Sequence, residues 1–409
     1  MKILHTSDWH LGRTLYGRKC HHEFASFLDW LVTETSRRKI DCLLIAGDVF
    51  DSTTPANTVQ SLYYSFLHRI SGSCCRHVVI TGGNHDSPSL LNAPRELLKH
   101  LNVTVIGSAT EAPEDEVVAL YDPEGRLEAV VCAVPYLRDR DVRRSEAGES
   151  IDDKARKLME GIAEHYRTVC DRALRLKQSV SHEVPLIAMG HLFTAGGTIA
   201  DNDEVRDLYI GTLAHVHSSA FPSSIDYLAL GHLHIPQPVN GEETRRYSGS
   251  PLQLGFSHNG GEKSVVVATF EDGVAVETLP VPPFLRLRSL RGDHETINGH
   301  LQQLIEDDLP FLVEAHYNGP DVRTFYEELQ EKVQGTKIEL LRVVNQGLAE
   351  QSLHLGDEGE TLEDLSAVEV FRRCLESHDI ADEERDELEQ CFRQVLQEIA
   401  EEDFREDGP

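Results

Sequence analysis

The sequence predicts an α/β fold in which several parallel strands end at one polar site. Five apolar runs, KILHTSD, CLLIAGD, HVVITGGNHD, PLIAMGH and YLALGH, each lead into Asp, Asn or His, four of them through Gly. Stretches with helical spacing, near 22–38, 55–70 and 152–178, alternate with strands up to about residue 282. Continuous apolar runs are typical of parallel strands buried on both faces, and ligands bind beyond the carboxyl ends of such strands. Five strand ends would bring the polar side chains together.

The polar residues at these strand ends are metal-ligand types: Asp8, His10, Asp48, Asn84, His85, Asp86, His191, His232 and His234. Oxygen and imidazole donors without Cys suit manganese, magnesium, iron or zinc better than they suit a structural zinc site. The set exceeds the needs of one ion. Two ions about 3.5–4 Å apart, sharing a carboxylate, can clamp the attacking and leaving oxygens of a phosphoryl displacement. Two-metal phosphoester hydrolysis is therefore the leading chemistry.

Each of these short patterns is weak alone, because a histidine at a strand end is often only a satisfied polar residue. The shared strand-then-ligand context makes the set specific. His215 and His217 repeat the spacing of the last pair but lack the apolar run and the Gly. We therefore expect them, like His21 and His22, to be surface histidines.

Length and composition indicate a multidomain enzyme. The 409 residues, 40% of them hydrophobic, allow a sizeable core and two or three domains. No run approaches the roughly 18 apolar residues of a membrane span, and cleaving the start as a signal peptide would delete Asp8. The eight cysteines form no CxxC pair, which favours reduced thiols. These features predict a cytoplasmic protein, and the absence of a GxxxxGK[ST] loop predicts that it does not bind ATP by itself.

The strongly acidic composition argues against a nucleic-acid enzyme, but its distribution weakens that objection. The net charge is -30, and residues 295–409 hold 31 acidic and 9 basic residues. In the catalytic part before residue 295, positive and negative charges are thus nearly balanced. Basic residues follow two strands of this part: Arg13, Arg18 and Lys19, then Arg138 and Arg140. These side chains could contact phosphates that flank the reacting one. A merely solvated surface group is the alternative.

The C-terminal third has its own organisation. A hairpin is predicted around Glu271–Gly273, and Pro280, Pro282 and Pro283 indicate a domain boundary. A βαβαβ pattern follows, with helices near 294–307 and 321–333, and then a polar linker. Two amphipathic helices end the chain; the second carries a stripe formed by Leu388, Phe392, Val395, Leu396 and Ile399. The stripe could bind a partner, or the two helices could cover each other.

Taken in order, the motifs SDWH, GDVFD, GNHD, GH and GHLH resemble the calcineurin-like metallophosphoesterase signature. ILHTSDWHLG, RDLYIGT, DYLALGHLH and YSGSPLQLGF further resemble the SbcD family, the nuclease subunits of bacterial SbcCD double-strand-break repair complexes. The resemblance implies a four-layer αββα sandwich over residues 1–282, an α+β DNA-capping domain over 283–346, a linker over 347–360 and a helical pair over 361–409.

The same resemblance implies roles for the site residues. Asp8, His10 and His234 would bind one metal, Asn84, His191 and His232 the other, and Asp48 would bridge them. His85 would be the catalytic acid. Asp51 stands where archaeal relatives carry a histidine, so a second assisting histidine is not expected, and Asp86 would orient His85 or a backbone turn.

The implied function is a manganese-dependent nuclease, with magnesium or iron as alternative metals. It would act as an exonuclease on double-stranded DNA ends and as an endonuclease on single strands and hairpins. The C-terminal stripe would bind the coiled-coil base of the ATPase SbcC, and residues 55–70 and 89–101 would form a homodimer. Two alternatives stay open: a small-molecule phosphoesterase of the same superfamily, and a catalytically silent subunit that tethers DNA.

Overall fold

A computed structural model describes residues 1–143, 149–194, 216–256 and 261–345, with four isolated helical positions near the C-terminus. The helices are α1 (His21–Arg38), α2 (Asn57–Ser71), α3 (Pro88–Asn92), α4 (Arg95–Lys99), α5 (Asp139–Val142), α6 (Ile151–Lys177), α7 (His294–Glu306) and α8 (Val322–Val333). The strands are β1 (Lys2–Thr6), β2 (Thr14–Leu15), β3 (Arg18–Lys19), β4 (Cys42–Ala46), β5 (His77–Thr81), β6 (Val103–Ile106), β7 (Val117–Tyr121), β8 (Leu127–Ala133), β9 (Leu186–His191), β10 (Tyr227–Gly231), β11 (Gln237–Val239), β12 (Glu242–Tyr247), β13 (Ser264–Glu271), β14 (Gly273–Pro280), β15 (Leu287–Gly292), β16 (Phe311–Tyr317) and β17 (Ile338–Asn345).

The first large sheet has six strands in the order β14-β13-β1-β4-β5-β6. Strands β1, β4, β5 and β6 are parallel, and β13 and β14 form the predicted hairpin at the edge. The register places Thr6 beside Ile45 and Ala46 beside Thr81. Three of the five apolar runs therefore end together at one edge of this sheet.

The second large sheet has the order β11-β12-β10-β9-β8-β7. Its strands β8, β9, β10 and β12 are parallel, and Gly231 lies beside His191 in the register. The remaining two apolar runs, β9 and β10, are neighbours in this sheet. The metal-ligand types thus come from two sheets, three runs from the first and two from the second.

The two sheets pack face to face and share a buried layer. Small and branched side chains fill it, among them Ala46 and Val79 from the first sheet and Ala133 and Ala229 from the second. Helices α1 and α2 cover the outer face of the first sheet, and α6 covers that of the second. Because β4, β5, β9 and β10 are covered on both faces, their sequences are almost continuously apolar, whereas the parallel strand β12 begins exposed and polar. This architecture confirms the predicted αββα sandwich.

The C-terminal elements form a smaller α+β arrangement, a three-stranded sheet in the order β15-β16-β17 with α7 and α8. Asp293 and Asp321 cap the two helices, each accepting a hydrogen bond from a backbone amide three residues on. The chain divides into two compact units, Met1–Ser289 with 309–313 and 337–341, and Leu290–Asp308 with 314–336 and the chain from Arg342 on. The expected boundary between residues 282 and 283 stays a prediction.

Most of the C-terminal tail lies outside the described residues, including the linker 347–360 and three stripe residues, Val395, Leu396 and Ile399. Leu388 and Phe392 are helical, and Leu388 is 41% exposed. In α2, the expected dimer helix, Tyr63, Phe66, Leu67 and Ile70 are buried in the core. None of the helices in the described part of the chain has both the length and the apolar character that a bilayer crossing requires.

Candidate metal centre

The loops that follow β1 and β4 run side by side and carry three of the expected ligands. The Asp8 amide donates to the carbonyl of Gly47, and the His10 amide donates to that of Asp48, both at 3.0 Å. Asp8, His10 and Asp48 have φ angles of 52°, 48° and 49°, in the left-handed region that side-chain-bearing residues rarely adopt. Such strain persists where surrounding bonds enforce it. Hydrogen bonds between the two loops therefore fix the backbone that carries these three side chains.

The glycines that precede the ligands are required by close contact between the sheets. A Cβ atom at Gly231 would lie 1.9 Å from the carbonyl oxygen of Ala46. One at Gly47 would lie 2.1 Å from Nδ1 of His191. No other residue fits at either position without moving backbone or a ligand. The repeated Gly in the sequence pattern is thus a consequence of how closely the two sheets meet.

The first group of donors comprises Asp8, His10, Asp48 and His234. All four are buried, and one donor atom of each lies within 4.8 Å of the others. Nε2 of His10 is 3.2 Å from Nε2 of His234 and 3.6 Å from Oδ2 of Asp48. Nε2 of His234 lies 4.0 Å from Oδ1 of Asp8.

The second group comprises Asp48, Asn84, His191 and His232. Oδ1 of Asn84 lies 3.0 Å from Nε2 of His191 and 3.0 Å from Nδ1 of His232. Nε2 of His191 is 3.2 Å from Oδ2 of Asp48. The same Asp48 oxygen therefore contacts both groups, which is the position a bridging carboxylate needs.

These distances and tautomers fit two divalent ions. Ligands about 2.1 Å from an octahedral ion and at right angles to one another are roughly 3 Å apart. Nδ1 of His10 donates to Oδ1 of Asp51 at 3.1 Å, and Nδ1 of His191 donates to the carbonyl of Ala46 at 2.9 Å. Each imidazole then has its Nε2 lone pair available to the group, the usual arrangement of metal-binding histidines.

Opposite charges face each other within the donor groups. Burial opposes protonation of His191, but the facing Asp48 carboxylate raises the pKa of His191 to about 9. Burial likewise opposes ionisation of Asp48, yet His191 and His10 hold its pKa well below the usual value. Burial raises the pKa of Asp8. A metal ion must displace protons from such imidazoles, so metal affinity is expected to fall at low pH.

The comparisons with known proteins agree with this geometry. Residues 1–236 match the calcineurin-like phosphoesterase family, and residues 283–379 match the type 5 capsule protein repressor C-terminal domain. The chain is 35% identical to the SbcD subunit of the nuclease SbcCD from Escherichia coli K12, over 98% of this chain and 99% of that protein.

The chain belongs to the SbcD family of calcineurin-like phosphoesterases. Two further members, which bear the same name as the Escherichia coli protein, come from Rhodobacter capsulatus and Bacillus subtilis. The first is 35% identical over 70% of this chain and 71% of the relative. The second is 34% identical over 67% of each.

His85 occupies a distinct position in this SbcD-family site. It is half-buried, and its ring centroid lies 4.8 Å from that of His10. Its amide donates to Oδ1 of Asp48 at 2.9 Å. Its Nδ1 lies 3.1 Å from the backbone carbonyl of Asp51, which can only accept a hydrogen bond. Nδ1 is therefore the donor in this hydrogen bond, and Nε2 is the ring nitrogen outside it.

Two further aspartates support the site. Asp86 accepts hydrogen bonds from the amides of Val49, Phe50 and Gly83 at 2.8–3.1 Å, so it fixes backbone rather than facing the donor groups. Asp51 links His10 and His85, through its side chain and its carbonyl respectively. The expectation that Asp86 orients a backbone turn agrees with these contacts.

The basic residues singled out in the sequence differ in their surroundings. Arg13 contacts the site directly, with Nη1 3.4 Å from Oδ1 of Asp51. Arg18 pairs with Glu23 at 2.7 Å, whereas Lys19 and Arg140 are exposed and Arg138 is half-buried. Their contact with DNA stays a prediction. His21, His22 and His217 are exposed, and His215 lies outside the described residues.

Several residues that position the ligands were not foreseen. Oγ of Ser7 donates to Asp8 and lies 2.8 Å from Oγ of Ser248. Nζ of Lys263 donates to the carbonyl of His234 at 3.1 Å. The ring of Tyr136 meets His191 edge-on at 6.3 Å. Ser248 and Tyr136 belong to the motifs YSGSP and PYLRDRD, whose position beside strand ends was the available signal.

Proposed function

We propose that this chain is a two-metal, manganese-dependent nuclease that hydrolyses DNA phosphodiesters. It would act as an exonuclease on double-stranded ends and as an endonuclease on single strands and hairpins. The observation that carries the proposal is the arrangement of two donor groups around Oδ2 of Asp48, with His85 beside them. The SbcD family supplies the substrate class, because its members from three bacteria carry the name nuclease.

In this proposal Asp8, His10 and His234 bind one ion, Asn84, His191 and His232 bind the other, and Asp48 bridges them. Two divalent ions bound there would offset the phosphodiester charge and lower the pKa of a coordinated water. Mixed nitrogen and oxygen donors suit manganese, and they are also compatible with magnesium or iron.

His85 is proposed as the acid that gives a proton to the leaving oxygen. Its Nδ1–H is held by the Asp51 carbonyl and its amide by Asp48, so the ring is oriented relative to the donor groups. Because the residue is only half-buried, a substrate can reach Nε2. General acid catalysis of this kind contributes about 10²- to 10⁴-fold to a rate.

The flanking basic side chains are proposed to bind the phosphates next to the reacting one. Arg13 contacts Asp51 at the site, and Lys19 in β3 and Arg140 in α5 are exposed on the segments that follow β1 and β8. Arg18 and Arg138 would add to the same surface. A substrate that extends beyond one phosphate explains why these loops carry cations although the whole chain is acidic.

The proposed assembly follows the family. The relatives are named as one subunit of an SbcCD nuclease, and we propose that this chain joins the ATPase SbcC through Leu388, Phe392, Val395, Leu396 and Ile399. A homodimer is proposed through α2 and the segment 89–101. Within that segment Leu97 is 69% exposed and would give the interface an apolar residue.

The decisive experiment replaces His85 with Gln and measures DNA cleavage with Mn²⁺. We expect cleavage to fall about 10²-fold or more, while Mn²⁺ binding, followed by calorimetry, is retained. His22→Gln, an exposed histidine on α1, is the matched control and should cleave like the parent.

Each rival function has its own outcome in the same assay. Undiminished cleavage by His85→Gln would refute the assigned acid. Hydrolysis of nitrophenyl phosphodiesters but never of DNA would indicate a small-molecule phosphoesterase. DNA binding by the parent protein without hydrolysis of either substrate would indicate a silent tethering protein.

A further inference from the structure

Two aromatic rings stack on each other at the ends of two segments that lead away from the ligand loops. Tyr16 lies at the tip of the β2–β3 hairpin and is 49% exposed. Phe256 lies in the segment that follows β12. The two ring centroids are 5.8 Å apart with an interplanar angle of 14°. Phe256 packs against the core with part of its surface, and the half-exposed ring of Tyr16 extends this apolar surface into solvent.

The backbone at the hairpin tip is strained in a way that favours a functional reason for the tyrosine. Thr14 pairs with Lys19 and Leu15 with Arg18, so Tyr16 and Gly17 form a two-residue turn. Their φ angles are 49° and 82°, as in a type I′ turn, where Asn or Asp is preferred at the first position. A bulky aromatic residue is disfavoured there. Strained residues of this kind cluster at binding and catalytic sites.

Both segments that carry the rings begin at the metal centre. On one side, Arg13 donates from Nε to the carbonyl of Leu254 at 3.3 Å and reaches Asp51 through Nη1. On the other side, the segment 248–256 starts where Ser248 meets Ser7 and where the amide of Ser250 donates to the carbonyl of His234 at 3.2 Å. The aromatic pair therefore lies at the far end of two segments that are anchored to the ligand loops.

Cationic side chains flank the aromatic pair. Lys19 is exposed on the same hairpin, and Arg13 and Arg18, which also contact carboxylates, lie just before and just after the turn. Stacked aromatic rings beside cationic side chains are how proteins bind unpaired nucleotides, with phosphates on the cations and bases on the rings. In a duplex both faces of a base are covered by its neighbours, so only a terminal or extruded base can stack on protein.

We propose that Tyr16 and Phe256 bind one unpaired nucleobase of the DNA strand that is being cleaved. The proposal rests on the proposed nuclease function and deepens it, because it names a base contact on two segments that are anchored to the ligand loops. It implies that the enzyme favours substrates with a frayed, single-stranded or hairpin nucleotide close to the scissile phosphodiester.

The test compares Tyr16→Asn with Tyr16→Phe in the full-length protein. Asn suits the left-handed turn better than Tyr, so Tyr16→Asn removes the ring without destabilising the hairpin, and its melting temperature should equal or exceed that of the parent. We expect single-strand and hairpin cleavage by Tyr16→Asn to fall about tenfold or more relative to its hydrolysis of bis(4-nitrophenyl) phosphate. Tyr16→Phe should retain the parent ratio, and Phe256→Ala should lose it.

A scan of abasic positions then locates the base. In the parent protein, one abasic position near the cleaved bond should slow cleavage, and Tyr16→Asn should be insensitive to that same position. Equal cleavage by the parent and Tyr16→Asn, or equal abasic sensitivity, would overturn the aromatic contact while the nuclease function stands. A parent protein that hydrolyses the nitrophenyl ester but not DNA would overturn both.

Discussion

At the scale of single residues, Asp51 connects three side chains of the candidate site. Its carboxylate accepts from Nδ1 of His10 and faces Arg13, and its carbonyl holds His85. Burial opposes ionisation of Asp51, but the hydrogen bond from His10 keeps its pKa below the usual value. The charged Asp51 carboxylate therefore makes His10 a more basic metal ligand, although Asp51 is not itself one of the proposed ligands.

We predict that Asp51→Asn weakens Mn²⁺ binding about 10- to 100-fold, because the amide still accepts from His10 but no longer carries charge. Isothermal titration calorimetry measures the affinity directly. Asp272→Asn, which changes an exposed aspartate in the β13–β14 turn, is the control. An unchanged Kd in Asp51→Asn would mean that His10 does not depend on this carboxylate.

At the scale of elements, strand β1 carries a buried histidine between the two sheets. Nδ1 of His5 lies 3.0 Å from the hydroxyl of Tyr227 in β10. Burial, with a further contribution from the positive charge of Arg246, lowers the pKa of His5 to about 3. In the unfolded chain His5 has the ordinary histidine pKa of 6.5. Between about pH 3 and pH 6.5 the unfolded chain therefore binds more protons than the folded protein.

The consequence is that acid destabilises the sandwich through β1. Stability attributable to His5 is complete above about pH 6.5 and falls by about 1.4 kcal/mol per pH unit below it. We predict that, with chelator present, the parent loses about 2 kcal/mol more than His5→Gln when the pH falls from 7 to 5. Urea unfolding at both pH values measures this difference. Parallel losses in the two proteins would show that His5 does not titrate this way.

The elements show what the residues alone could and could not predict. Strands β4 and β10 were visible because strands covered on both faces are continuously apolar. The sequence did not show that β4 and β10 belong to different sheets, because CLLIA and YLALG are equally apolar. The expectation of four layers came from the family resemblance. The β2–β3 hairpin, with two-residue strands, shows no periodicity. Helix α2 has a regular apolar stripe, and most of this stripe is buried in the core. From sequence alone, an apolar stripe that packs in a core looks the same as one that forms an interface.

The donor set itself could be predicted, since every one of its residues follows an apolar run. The supporting contacts could not. Asp51 reaches His10 across 41 residues of sequence, and Ser248 reaches Ser7 across 241. Such pairs are set by the packing of the two sheets, and no local pattern encodes them.

At the scale of the whole molecule, acidity and catalysis are separated along the chain. Residues 295–409 hold most of the excess negative charge, whereas the donor groups end at His234. We predict that removal of residues 361–409 leaves Mn²⁺-dependent phosphodiester hydrolysis unchanged but abolishes co-purification with SbcC. Metal-dependent hydrolysis and pull-down assays measure the two properties independently.

A finer comparison in the full-length chain is Leu396→Asp against Gln397→Asp. Only the first should lose SbcC, because the sequence spacing predicts position 396 on the apolar stripe and position 397 off it. Loss of metal binding in the truncated protein would contradict this division of roles.

The meeting of ligand loops from two different sheets has a consequence for how sequence variants should be interpreted. The two proposed ion sites require that the layer containing Val79, Ala133 and Ala229 keeps the sheets at the correct separation. A substitution deep in that layer can leave the protein folded and yet spread the donors apart. Some inactive variants remote from the site are therefore expected to be metal-affinity defects, which excess manganese should rescue and which no catalogue of site residues would identify.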